Sequence, residues 1–146
     1  YQSENMAKVD FANFCESLVS SLLAAYNIDL DRVRVKCDLA EVELAIDQAV
    51  PCGLIANELI TNALKHGFRD GHAGKILIST KMHGDRDVEL CISDNEHGLP
   101  DDFSIGKSSG LGLQLIELLV DQIGGQLTID TSPETRFHIT FTLQDE

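Results

Sequence analysis

The chain is 146 residues long, with 43% hydrophobic and 24% charged residues, which suits one soluble globular domain and excludes a disordered one. Its 24 Asp and Glu against 11 Lys and Arg leave a net charge of −13, and the basic residues are scattered, so a nucleic-acid backbone is excluded as partner. No apolar run approaches the roughly 18 residues that span a bilayer; the stretch from Leu113 to Val120 is broken by Gln114 and Glu117, and no direct membrane contact is expected.

Residues 1–10 are polar, begin at Tyr1 without Met and lack a charged-then-apolar leader, so they are expected to end an upstream helical region or linker of a longer protein. Residues 11–146 are expected to form the domain. Phe11, Phe14, Leu18, Leu22 and Ala25 recur at helical spacing behind Asp10, a suitable N-cap, and Asn27-Ile28-Asp29 breaks this helix. Val33, Val35, Cys37 and Leu39 alternate with charged residues and predict a strand with one buried face. Val42, Leu44 and Ile46 fit either a second strand or a turn. Pro51 suits the first position of a helix that runs to about His66 and ends at Gly67 and Gly71. Ile76 to Met82 and Val88 to Ile92 alternate on either side of Gly84-Asp85, a hairpin signal. Residues 95–109 are expected as loop. A helix follows from Gly110 to Ile123, with Gly124-Gly125 as its C-terminal stop. Strands at Gln126 to Asp130 and Thr135 to Leu143 close the chain around Ser132-Pro133. This order predicts a two-layer α/β sandwich: a mixed, largely antiparallel sheet covered on one face by three helices. Cys15, Cys37, Cys52 and Cys91 form no C-x-x-C pair and suit reduced thiols in a cytoplasmic domain.

Three segments carry chemistry. Glu58, Asn62 and Lys65 lie at i, i+4 and i+7, one stripe opposite Ala56, Leu59, Ile60, Ala63 and Leu64. A carboxylate there can activate a nucleophile, an amide oxygen suits Mg2+, and an ammonium suits a phosphate. A solvated helix face would show the same stripe. Asp94 closes a strand before a glycine-containing loop, where a carboxylate can accept from an amino group such as that of adenine. An ordinary turn residue would also sit there. Ser109-Gly110-Leu111-Gly112-Leu113 opens a helix whose backbone N–H groups could meet an anion, although no Walker lysine follows.

Asn57-Glu-Leu-Ile-Thr-Asn-Ala-Leu-Lys-His66, then Asp94-Asn95-x-x-Gly98, then Gly110-x-Gly112-Leu113, in that order, resemble the N, G1 and G2 boxes of the GHKL ATPases. That superfamily includes gyrase, Hsp90, histidine kinases and MutL. The phrases ANELITNALKH, DNEHGLPDDF and SSGLGLQLIELLVDQIGGQL are most similar to second-type bacterial sensor histidine kinases, related to the HWE kinases, although the chain has no Trp. The resemblance covers roughly residues 9–143 and implies a Bergerat sandwich that binds ATP and Mg2+. It makes Asn62 the Mg2+ ligand and Glu58 the catalytic acid of the N box. Lys65 and His66 would approach the phosphates, Asp94 would bind the adenine amino group, and Gly98 would lie beneath the base. Gly110, Leu111 and Gly112 would frame the triphosphate, residues 99–109 would form a short lid, and Thr135 would join the adenine water network.

The implied reaction is transfer of the ATP γ-phosphate to a histidine on a separate dimerisation and phosphotransfer domain, with a response regulator downstream. None of His66, His72, His83, His97 and His138 has the acceptor context, so the isolated chain is expected not to phosphorylate itself. One departure stands out: Glu96 occupies a glycine position of the G1 box, and Ser108 replaces the first glycine of the G2 box. A left-handed backbone at Glu96 would cost about 1–2 kcal/mol. Glu96 therefore opens a second expectation, a degenerate module that has lost ATP and docks a response regulator. An anti-sigma-type serine kinase, which shares the boxes and a similar length, is a third.

Overall fold

The computed structural model describes residues 8–67, 73–94, 111–131 and 134–144. In chain order the elements are β1 (Val9–Asp10), α1 (Phe11–Ala25), β2 (Val33–Leu39), β3 (Glu43–Leu44) and α2 (Ile46–Asn62). A π-helical turn (Ala63–Gly67) extends α2, and β4 (Gly74–His83), β5 (Asp87–Asp94), α3 (Leu111–Gln122), β6 (Gln126–Asp130) and β7 (Thr135–Thr142) follow.

Strands β2, β4, β5, β7 and β6 lie side by side in that order. Only β2–β4 is a parallel pair, with Val33 opposite Gly74 and Leu39 opposite Thr80. The crossover through α2 makes that direction possible, because parallel neighbours need a long connection. The remaining pairs are antiparallel, and β1 pairs with β3 as a separate two-stranded ribbon. The expected mixed sheet under three helices is the architecture found.

Alternation assigns the two faces. Ile76, Ile78, Val88, Leu90, Ile92, Ile139 and Phe141 are buried toward the helices, as are Cys15 of α1, Ile55 and Ile60 of α2 and Ile116 of α3. The opposite face carries Lys81, Glu89, Arg136 and His138, as a strand period of two requires. Asp10 caps α1 by accepting from the Asn13 N–H at 3.2 Å, a contact worth about 1 kcal/mol. Gly124, at φ +69°, ends α3 in the left-handed region, and the Gly125 N–H donates back to the Val120 carbonyl at 2.9 Å.

One boundary differs from the sequence expectation. Helix α2 starts at Ile46, and Pro51 lies inside it. Glu43–Leu44 forms the short β3, while Ile46 already belongs to the helix. Ala45 precedes the first turn without any side-chain cap, so Asp47 in that turn is the one weak start signal against the stronger punctuation of Pro51. Another residue takes over the anchoring: Gln48, 1% exposed, donates from Nε2 to the Thr142 carbonyl at 2.8 Å and accepts the Gln144 N–H at 3.1 Å. A buried amide is tolerated there because both ends are partnered.

Candidate functional site

The helix stripe is arranged as its spacing requires. Ala56, Leu59, Ile60, Ala63 and Leu64 are buried, Glu58 and Asn62 are half-buried, and Lys65 is exposed. The partition follows from the 3.6-residue period: the apolar side meets the sheet, and the polar side stands at the margin of the packed interface.

Helix α3 meets that margin. A Cβ placed on Gly112 would lie 2.6 Å from Oε2 of Glu58 and 3.7 Å from Nδ2 of Asn62. No side chain tolerates the first distance without displacing the carboxylate. Gly112 is therefore needed for close approach, not for an unusual backbone angle. The first turn of α3, where N–H groups are unpaired within the helix, stands beside one carboxylate and one carboxamide.

A second pair lies at the end of the sheet. Asp94 is the last residue of β5 and stands directly opposite Thr135, the first residue of β7. By alternation both side chains share the helix-facing side with Ile92 and Phe137. Thr135 is buried at 4% exposure, and Asp94 is half-buried. Helix α2 packs on β5 and against α3, so both polar groups belong to one helix–sheet layer.

The remaining candidates are placed less fully. Lys65 and His66 lie in the π-helical turn, a local widening common at functional sites. Sequence reasoning missed this turn because its residues continue the helical pattern. The side chains of His66 and Leu111 fall outside the description, although Leu111 opens α3. Gly98, Gly110, Glu96, Ser108 and the expected lid at 99–109 lie outside the described residues. A hollow lined by Lys8, Glu43, Gln48, Arg86 and Leu143 sits at the other end of the sheet, beside the β4–β5 turn, away from Asp94. Among the described residues, no helix is long and apolar enough to cross a membrane.

Comparison with known proteins agrees with this fold. The model of the family described as histidine kinase-, DNA gyrase B-, and HSP90-like ATPase matches residues 47–145. The chain is 25% identical over 97 residues to blue-light-activated histidine kinase 2 of Erythrobacter litoralis, covering 66% of this chain and 28% of that protein. It is 29% identical over 126 residues to the anti-sigma F factor of Bacillus licheniformis, covering 78% of this chain and 83% of that protein. The histidine kinase domain of the E. litoralis EL346 blue-light-activated kinase superposes with a TM-score of 0.84 at 20% identity. That superposition covers 92% of this chain and 62% of the other. The chain thus spans less than a third of the first kinase and most of the anti-sigma factor.

Proposed function

Because the chain belongs to the histidine kinase-, DNA gyrase B-, and HSP90-like ATPase family, we propose that it is the ATP-binding catalytic domain of a sensor histidine kinase. In this reading it transfers the ATP γ-phosphate to a histidine on a separate dimerisation domain, with a response regulator as the next acceptor. Residues 1–10 then lead in from the upstream region and residues 11–146 form the catalytic domain.

The observation that carries the proposal is the approach of Gly112 to Glu58 and Asn62. A carboxylate and a carboxamide brought beside a helix N-terminus suit a magnesium-bound triphosphate. Asn62 would hold Mg2+ through its amide oxygen. When bound, the ion would neutralise phosphate charge and fix its geometry. Backbone N–H groups at Gly110, Leu111 and Gly112 would cradle phosphate oxygens. Lys65 and His66 would add positive charge from the π-helical turn. Asp94 would accept from the adenine amino group, with Thr135 beside it to bind a bridging water and Gly98 beneath the base. Glu58 would take the proton of the attacking imidazole. Positioning and charge account for most of such a reaction, and these groups supply both.

The similarity in length to the anti-sigma F factor supports a second reading, a protein of that type with kinase activity toward serine. One phosphorylation assay separates the two. The chain is incubated with labelled ATP, Mg2+ and either the parent's dimerisation domain or a serine-bearing antagonist protein. The kinase reading predicts acid-labile phosphate on the dimerisation domain, none on the isolated chain, and loss of transfer in Glu58→Gln. Acid-stable phosphate on serine would replace it with the second reading. His83 and His138 lie on strands β4 and β7, not on a helix, in keeping with an acceptor located elsewhere.

A further inference from the structure

The sheet face turned away from the helices carries a connected group of side chains that the nucleotide site does not use. Glu89 of β5 lies between two imidazoles: Oε1 is 2.7 Å from Nε2 of His83, and Oε2 is 2.8 Å from Nδ1 of His138. A carboxylate only accepts, so both ring nitrogens facing it are donors. In a neutral His138 ring this leaves Nε2 as a lone pair, and Nε2 points to Sγ of Cys91 at 3.8 Å. Cys91 and His138 face each other across β5 and β7.

We propose that Cys91 and His138 form a binding site for a soft, thiophilic monovalent cation, with Cu(I) as the biological ion of that class, and that Glu89 is the positioning residue behind the imidazole. Three observations support it. First, the span is right. With metal–sulfur and metal–nitrogen bonds of about 2.3 and ~2.0 Å, the two donors would stand roughly 3.5 Å apart at a tetrahedral angle and ~4.3 Å apart in a line. The observed 3.8 Å falls between these values, at an S–metal–N angle of about 125°, which suits a trigonal Cu(I) whose third ligand comes from solvent. Second, the donor set is right. Thiolate and imidazole select soft ions, and an imidazole whose other nitrogen donates to a carboxylate is the usual arrangement of a metal-binding histidine. Third, the number of donors discriminates. Among the described residues, no group of three or more His, Cys, Asp or Glu is arranged to hold a metal, which disfavours zinc; Cu(I) is held by two protein donors with one ligand from solvent.

Binding replaces the thiol proton. The Cys91 S–H bond breaks, an Sγ–Cu bond forms, the proton leaves to solvent, and no electron is transferred. Burial pushes the Cys91 thiol above its ordinary range, with Arg136 and Lys81 opposing and Glu89 and Asp130 adding to that shift. The metal therefore displaces a proton that water alone would leave in place.

The test titrates the full chain with Cu(I), anaerobically and under reducing conditions, against a colorimetric Cu(I) chelator. The wild type is expected to take up one equivalent more than Cys91→Ala and to show a thiolate-to-copper absorption that the variant lacks. His138→Gln should weaken that equivalent by about tenfold or more, and Glu89→Gln by roughly 10–100-fold. Far-UV circular dichroism of each variant checks folding, and Glu89→Gln keeps the hydrogen-bonding shape if Cys91→Ala does not fold. Equal uptake by wild type and Cys91→Ala would overturn the site. An unchanged affinity in His138→Gln would also overturn it, since the remaining thiols would then be the whole binder.

Discussion

Gly112 shows how one absent side chain shapes the site. A methyl at that position would meet Oε2 of Glu58 at 2.6 Å, and the far end of a flexible side chain is what must move. Gly112→Ala should therefore leave thermal stability almost unchanged, because the clash is offset by the better helix propensity of Ala, about 0.5–1 kcal/mol. The displaced Glu58 should slow phosphoryl transfer by about tenfold or more, within the ~10²–10⁴ that a general base contributes. Melting curves and single-turnover transfer on the same sample check both halves. Cys15 and Cys52 give a second residue-scale expectation. Burial pushes both thiols from 9.0 to about 12. Between those values the folded state keeps protons that the unfolded state has lost, so stability holds below pH 9.0 and falls as pH rises toward 12. Urea midpoints measured from pH 8 to 11 should decline along that range, and a flat profile would contradict it. Glu58, Asn62 and Asp94 could be singled out from the sequence, because box order and helical spacing mark them. The nearness of Glu58 and Asn62 to Gly112 could not, since that contact joins residues from separate helices. The Glu89 bridge was missed for a related reason: its members alternate outward on three strands, and only the register of β4, β5 and β7 brings them together.

Helix α2 holds the elements together, and its start was the boundary that sequence hid. Pro51 is a strong punctuation signal, yet it lies within the helix, while Ala45 at the true start has no capping side chain. Tertiary contacts fix that end instead. Gln48 joins the first turn of α2 to the end of β7 through the Thr142 carbonyl and the Gln144 N–H. Gln48→Ala removes both hydrogen bonds of a buried amide, so it should lower unfolding free energy by about 1–3 kcal/mol. A urea midpoint equal to wild type would contradict that role. Helices α1 and α3 and the five strands of the main sheet were legible because each combined a clean period with its own stop signal, whereas the two-residue β1 and β3 are too short to show a period. Strand β2 alternates without exception, and Asp10 and Gly124 mark a helix start and a helix end. The π-helical turn at Ala63–Gly67 had no such mark, since its residues suit an α-helix equally well.

At the scale of the molecule the sheet separates two chemistries. One face packs under three helices and carries the Asp94–Thr135 pair at its end, and helix α2, which holds Glu58 and Asn62, packs on that face at β5. The other face gathers His83, Glu89, Cys91 and His138. A net charge of −13 favours cations at both faces and opposes a bare triphosphate. The nucleotide should therefore bind together with Mg2+ and only weakly without it. The central claim is that Asn62, beside Gly112, helps hold magnesium and ATP in one site. Calorimetric titration of the intact chain with a non-hydrolysable ATP analogue and Mg2+, set beside Asn62→Ala and Glu96→Gly, tests it directly. The account predicts saturable single-site binding by the wild type, loss of at least tenfold in affinity in Asn62→Ala with an unchanged circular dichroism spectrum, and retained binding in Glu96→Gly. Absence of binding by the wild type, with binding appearing only in Glu96→Gly, or equal affinity in Asn62→Ala, would contradict it.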